Sequence, residues 1–288
     1  MLDAFNEQEY QKAIDFAEEA IKEKPLSPQQ LVIKGRSQIS LGRSEEGIET
    51  LSEAIRIKAE YNEAYFFRAI AYYFQDDFEK GKEDLQYLLE QEPDNKEYLE
   101  FYASNRFQAA DYSEAIAVYS SLVRLNPSNA ENYIQRASAK RENQLFDEAV
   151  VDLHQALSLD STSSFAYEEM GQVFAEKGEY QLAIEQFNLS MEYMANDEIA
   201  PIRAAIWDSR GFAYLNSGQM ALAKEDLERS IAIFPNAAAF KNLGLIALRK
   251  NDIEQACVNL RQAEKYEAYY SKTAATIASL IEEHCHGR

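Results

Sequence analysis

The hydrophobic pattern along this chain has a helical period, and the pattern itself recurs. Small residues open a repeated stretch at Ala13, Gly47, Gly81, Ala115, Ala149, Ala183, Ala223 and Ala256, with successive spacings of 34, 34, 34, 34, 34, 40 and 33. A second small series stands twelve residues ahead, at Gly35, Ala69, Ala103, Ala137, Gly171, Gly211 and Gly244. Large residues keep the same beat, with Leu31, Tyr65, Leu99, Tyr133, Tyr167, Trp207 and Phe240 early in each period and Leu51, Leu85, Tyr119, Leu153, Phe187, Leu227 and Leu260 in its second half. Residues three, four or seven apart share one helix face. Each period therefore predicts two amphipathic helices about a short turn, with a strip of small residues on which a neighbouring helix lies close. Pro25, Pro93, Pro127 and Pro235 close several periods where a helix should stop. Gly211, inside the helical stretch "SRGFAY", reads as a packing contact rather than a phosphate loop or hinge, because it holds the station of Gly35 and Gly171.

A 34-residue helix–turn–helix with these large, small, aromatic and proline positions resembles the tetratricopeptide repeat. The stretches "WDSRGFAYLNSGQMALAKEDLERSIAIFP" (Trp207 to Pro235) and "AFKNLGLIALRKNDIEQACVNLRQAEKYE" (Ala239 to Glu267) carry the resemblance best. It implies an all-α fold, a right-handed α-solenoid or superhelix of antiparallel helix-turn-helix repeats, whose first helices line a concave groove that takes peptides or protein segments. On this reading residues 1–27 are a partial first repeat, mainly its second helix from Glu9 to Glu23. Residues 28–270 hold seven repeats, with an insertion near 198–203 expected as a longer second helix or a loop, and 271–288 form a capping helix and tail. Only Met1 to about Asn6 stands where a first helix belongs, and one turn does not make a stable helix. The expectation is that the natural chain continues upstream or that association with a partner covers the N-terminal end.

Composition narrows the partners. Lys and Arg number 29 against 49 Asp and Glu, a formal charge of −20. That charge repels nucleic acid and anionic membranes and attracts a basic segment, although acids on helix faces chiefly solvate them. No apolar run approaches the 18 or so residues that span a bilayer, and the N-terminal stretch lacks a basic region followed by an apolar one, so a cytoplasmic location is expected. Cys257 and Cys285 are too few for a disulfide framework and fit a reducing compartment or indifference to redox state.

Neither a phosphate-binding loop, a dinucleotide turn nor a nucleophile elbow occurs, so the expectation is no enzyme and no cofactor. His284, Cys285 and His286 beside Glu282 and Glu283 are metal-ligating residue types, and an antiparallel capping helix would bring them near the helix of Cys257. Adjacent residues point different ways on a helix, so a frayed terminus is expected and no metal is assigned; metal handling stays as the remote alternative.

The resemblance places groove contacts on the solvent side of each first helix: Val32, Arg36, Ile39 and Ser40, then Phe66, Ile70, Tyr73 and Phe74, and onward to acidic positions such as Glu168 and Asp208. Phe66, Ile70, Tyr73 and Phe107 are the expected apolar anchors, with Arg36 and Arg141 available to a partner carboxylate. The competing reading makes these residues inter-helix packing, with the exposed register off by one. The lysine and asparagine set by which related repeats clamp the tails of heat-shock chaperones is not matched, since Val32, Arg36, Phe67, Glu97 and Phe101 stand in its places. An asparagine ladder would need Asn where Ile33, Phe67, Phe101, Gln135, Glu169 and Ser209 stand, and Asn242 alone agrees. The functional expectation is a non-catalytic scaffold, an adaptor or assembly factor. The alternative is the recruiting arm of a larger enzyme or transcription regulator.

Overall fold

The structure, a computed structural model, describes residues 2–23, 25, 27–194, 199–266 and 274–285. Among them every regular element is an α-helix, and the chain divides into two compact units, Met1–Asn143 and Gln144–Arg288. The first unit holds α1 (Leu2–Glu23), α2 (Pro28–Ser40), α3 (Ser44–Ile57), α4 (Asn62–Tyr73), α5 (Phe78–Gln91), α6 (Lys96–Gln108), α7 (Tyr112–Leu125) and α8 (Ala130–Glu142). The second holds α9 (Phe146–Leu159), α10 (Ser164–Glu176), α11 (Tyr180–Tyr193), α12 (Ala200–Asn216), α13 (Met220–Ile233), α14 (Ala237–Arg249), α15 (Ile253–Tyr266) and α16 (Ala274–Cys285). Within each unit consecutive helices pack on one another, and their short connections make them antiparallel pairs.

Local chemistry sets the helix ends. Ser27 caps α2 in a reciprocal capping box with Gln30, and Asn95, Asn129, Ser163 and Asn236 cap the first helices of later repeats by accepting from a backbone N–H of the first turn. The turn between paired helices has one recurring form. Gly42, Asp76, Ala110, Gly178, Gly218 and Asn251 all take positive φ, from 56° to 84°. The N–H after each donates to the carbonyl five residues back, as Arg43 does to Gln38 at 2.8 Å and Asp111 to Arg106 at 2.9 Å. That is the Schellman closure of a helix end.

The small stations form the seam. A methyl placed on Gly35 would lie 2.7 Å from Leu51, on Gly171 2.6 Å from the Phe187 ring, on Gly211 2.9 Å from Leu227 and on Gly244 2.9 Å from Leu260. Every one of these large residues stands sixteen positions later, on the paired helix. The interior of Gly211's helix therefore needs glycine for packing, and its helix cost of roughly 1 kcal/mol is offset by close approach of α13.

Three sequence expectations change. The N-terminal segment is one 22-residue helix beginning at Leu2, so residues 2–8 extend α1 rather than making a remnant of a separate helix. The inserted residues do not lengthen α11, which keeps 14 residues; they lengthen the first helix α12 to 17, started by Pro201 in its first turn. Residues 195–198 and 271–273 of the insertion and capping segments lie outside the described residues. Cys257 and Cys285 are joined in a disulfide with Cα atoms 5.6 Å apart. The argument from unpaired cysteines to a reducing compartment lapses with that bond.

Candidate peptide-binding recess

In the first unit, α2 and α4 stand side by side and leave a recess of about 600 Å³ between them. Ile39 and Ile70 give it an apolar floor, Phe67 a wall, and Ser40, Gly42 and Ser44 a polar edge at the turn into α3. Phe74, the residue that ends α4, lies at its mouth with 65% of its surface in solvent. The Arg36 guanidinium sits over the Phe67 ring, its carbon 4.2 Å from the ring centre. It donates a long hydrogen bond from Nη1 to Glu63 at 3.5 Å, and half of the side chain, 51%, is solvent-exposed. The ring contact holds the guanidinium in place while half of the side chain stays in water, which suits an incoming acceptor oxygen.

Of the residues expected from the sequence, Arg36 and Ile70 meet in this recess. Phe66 does not. It is 9% exposed and turned forward, its ring centre 5.2 Å from Tyr98 and 5.7 Å from Phe101 on α6, as part of the core. Tyr73 is half-buried among Phe74, Phe78 and Phe101, and Phe107 packs on the same core and against Tyr112. Arg141 is 11% exposed and donates to Glu142 at 3.0 Å, so it offers no free guanidinium to a partner. The exposed register is thus shifted by one at α4: Phe66 is packing and Phe67 faces the recess. Both positions are aromatic and 100° apart on the helix, so periodicity alone could not rank them. Their counterparts one 34-residue period earlier, Val32 and Ile33, are both apolar too, so the sequence carried no signal; in the structure Val32 is buried and Ile33 exposed, the same register as Phe66 and Phe67.

Arg68, Arg210 and Arg106 are committed inside the protein. Arg68 makes a two-pronged pair with buried Asp84 at 2.7 and 2.8 Å and donates to Ser52 at 3.0 Å. Arg210 repeats this with Asp226 at 2.6 and 2.9 Å, sixteen residues on in both cases. Each of these arginines also stands over the large residue three positions before it, Tyr65 at 5.4 Å and Trp207 at 4.8 Å. Arg106, 1% exposed, donates to Phe78 O and Glu79, whose carboxyl is held below its ordinary value by that bond. In the second unit Asp208 accepts from Asn242 at 3.2 Å; burial pushes its carboxyl up to about 6, against the pull of that hydrogen bond and of nearby Lys241. Among the described residues no three His, Cys, Asp or Glu side chains are placed to hold a metal ion together. Cys285 is consumed by its disulfide, and His286 lies outside the described residues. No helix among the described residues is long and apolar enough to cross a membrane.

Stacked antiparallel helix pairs with a recurrent small-residue seam and a shared turn define an α-helical repeat protein. Two family models, each described as a tetratricopeptide repeat, match residues 67–130 and residues 31–61 and 204–236. The chain is a tetratricopeptide repeat protein. A crystal structure of a tetratricopeptide repeat protein from Parabacteroides merdae superposes with a TM-score of 0.76 at 20% identity, over 90% of this chain and 99% of that one. Yeast Tom70 superposes with a TM-score of 0.70 at 16% identity, over 97% of this chain and 59% of that one. Among curated relatives, human DnaJ homolog subfamily C member 7 is 21% identical over 64% of this chain and 40% of its own length. The human mitochondrial import receptor subunit TOM70 is 24% identical over 54% and 27%, and the wheat Hsp70-Hsp90 organizing protein 28% identical over 42% and 21%. The aligned stretches thus take in less than half of each of these relatives.

Proposed function

We propose that the protein is a non-catalytic interaction scaffold whose first unit takes an extended peptide segment in the α2–α4 recess. An apolar side chain of the ligand sits on Ile39 and Ile70 beside Phe67, Phe74 closes over it, and Arg36 meets an acceptor oxygen. The carrying observation is the combination at one spot of an exposed aromatic, an apolar floor and a half-exposed guanidinium held over an aromatic ring. The chain's net charge of −20 disfavours a polyacidic ligand, so the segment is neutral or basic overall and carries its acceptor locally. Membership in a repeat family whose relatives include an import receptor subunit and an Hsp70-Hsp90 organizing protein supports the binding role.

The test is a peptide library displayed on phage and selected against the whole protein, followed by calorimetry of the enriched peptides. Phe74→Glu and Arg36→Glu alter surface residues and should leave the helical circular dichroism unchanged. The expected result is at least a tenfold rise in Kd for both, about 1.4 kcal/mol. Enriched peptides that bind both variants as tightly as the wild type would refute the assignment.

A further inference from the structure

The end of the second unit is closed by one short helix. α16 has 12 residues, too few to hold its form alone in water. Its docking on α15 rests on Ile277, fully buried against Ala237 and Ala263, and on Ile281, which packs beside them with Phe240 and Tyr266. Thr276, Ala278, Ser279, Glu282 and Glu283 all face solvent, so little apolar surface holds the helix down. The Cys257–Cys285 disulfide adds a covalent attachment, tying the last residue of α16 to the first half of α15 across 28 positions of sequence. Cys285 is 4% exposed and Cys257 is half-buried, so Cys257 offers the sulfur that an incoming thiolate reaches.

We propose that this disulfide is a redox latch on the capping helix. Oxidised, it holds α16 over the end of α15; reduced, it frees α16 and bares the apolar surface of Ala263, Phe240 and Tyr266. Closure joins two thiols, releasing two protons and passing two electrons to a low-molecular-weight disulfide such as oxidised glutathione, which is itself reduced to two thiols. Opening is the reverse, driven by a dithiol. The latch acts through chain entropy: a bond that closes a loop of this length removes most of the freedom of an undocked helix.

The whole chain is equilibrated in a glutathione redox buffer, alkylated, and weighed by intact mass spectrometry. Amide hydrogen exchange over residues 274–285 is then compared in oxidised protein, in protein reduced with dithiothreitol, and in the Cys257→Ser, Cys285→Ser double variant. The oxidised chain should take up no alkyl group until it is reduced. Exchange in α16 should quicken on the order of 100-fold on reduction, the double variant should match the reduced protein with or without dithiothreitol, and α2–α8 should not change. Two alkyl groups taken up directly from the oxidising buffer would show that the bond does not form. Equal α16 protection in oxidised and reduced protein would show that the bond is no latch. Reduction of the wild type carries the same comparison should the double variant fold poorly.

Discussion

Gly171 and Phe187 show at the level of single atoms how the repeat holds together. The glycine faces the ring so closely that one added methyl would lie 2.6 Å from it, and an aromatic ring yields less than a branched aliphatic tip. Gly171→Ala should therefore destabilise the second unit by about 1–3 kcal/mol of overpacking, less the roughly 1 kcal/mol by which alanine favours the helix. Urea denaturation followed by circular dichroism measures the balance; a midpoint above that of the wild type would mean that the seam has slack. The small station was legible because it recurs. Its partner sixteen residues later was legible only as one large residue among several, since nothing in a single helix's periodicity says which residue of the next helix it meets. The same limit explains Phe66 and Phe67, two adjacent aromatics of which the inner one lies on α6 and the outer one under Arg36.

At the level of the helix pair, a polar bolt reinforces the apolar seam. Arg68 on α4 grips Asp84 on α5 from inside the pair, and burial raises the Asp84 carboxyl above its ordinary value although the two guanidinium bonds pull it down. Removing the arginine leaves a buried carboxylate without its partner. Arg68→Met should cost about 3–5 kcal/mol near neutral pH. The sign of its pH dependence follows from the raised carboxyl. A group whose folded pKa lies above the unfolded one adds stability below the unfolded value and loses it as pH rises, and the variant exaggerates that loss. The deficit against the wild type should thus be largest at neutral pH and shrink on acidification toward pH 4; thermal melts across that range check it, and a deficit that stays constant or grows in acid contradicts the account. The bolt was not read from the sequence, because an Arg and an Asp sixteen residues apart resemble two surface charges until the turn folds them together. The turn itself was half-hidden, since Asp76, Ala110 and Asn251 take the left-handed conformation that glycine advertises at Gly42, Gly178 and Gly218.

On the scale of the molecule, the repeat period was readable throughout, while two features were not. The Cys257–Cys285 bond joins residues that the capping-helix expectation brought near each other without pairing them. The recess depends on which flank of α4 faces α2, a matter of inter-helix rotation that small-residue spacing leaves open. The central claim is that ligands enter at α2 and α4. The direct measurement is a hydrogen-exchange footprint of the whole protein with and without a selected peptide at saturating concentration. Slowed exchange confined to α2, α4 and the turn at Gly42, including residues 36–44 and 67–75, is the predicted result. Protection that falls on α12 and α14, with residues 36–44 and 67–75 unchanged, would contradict it.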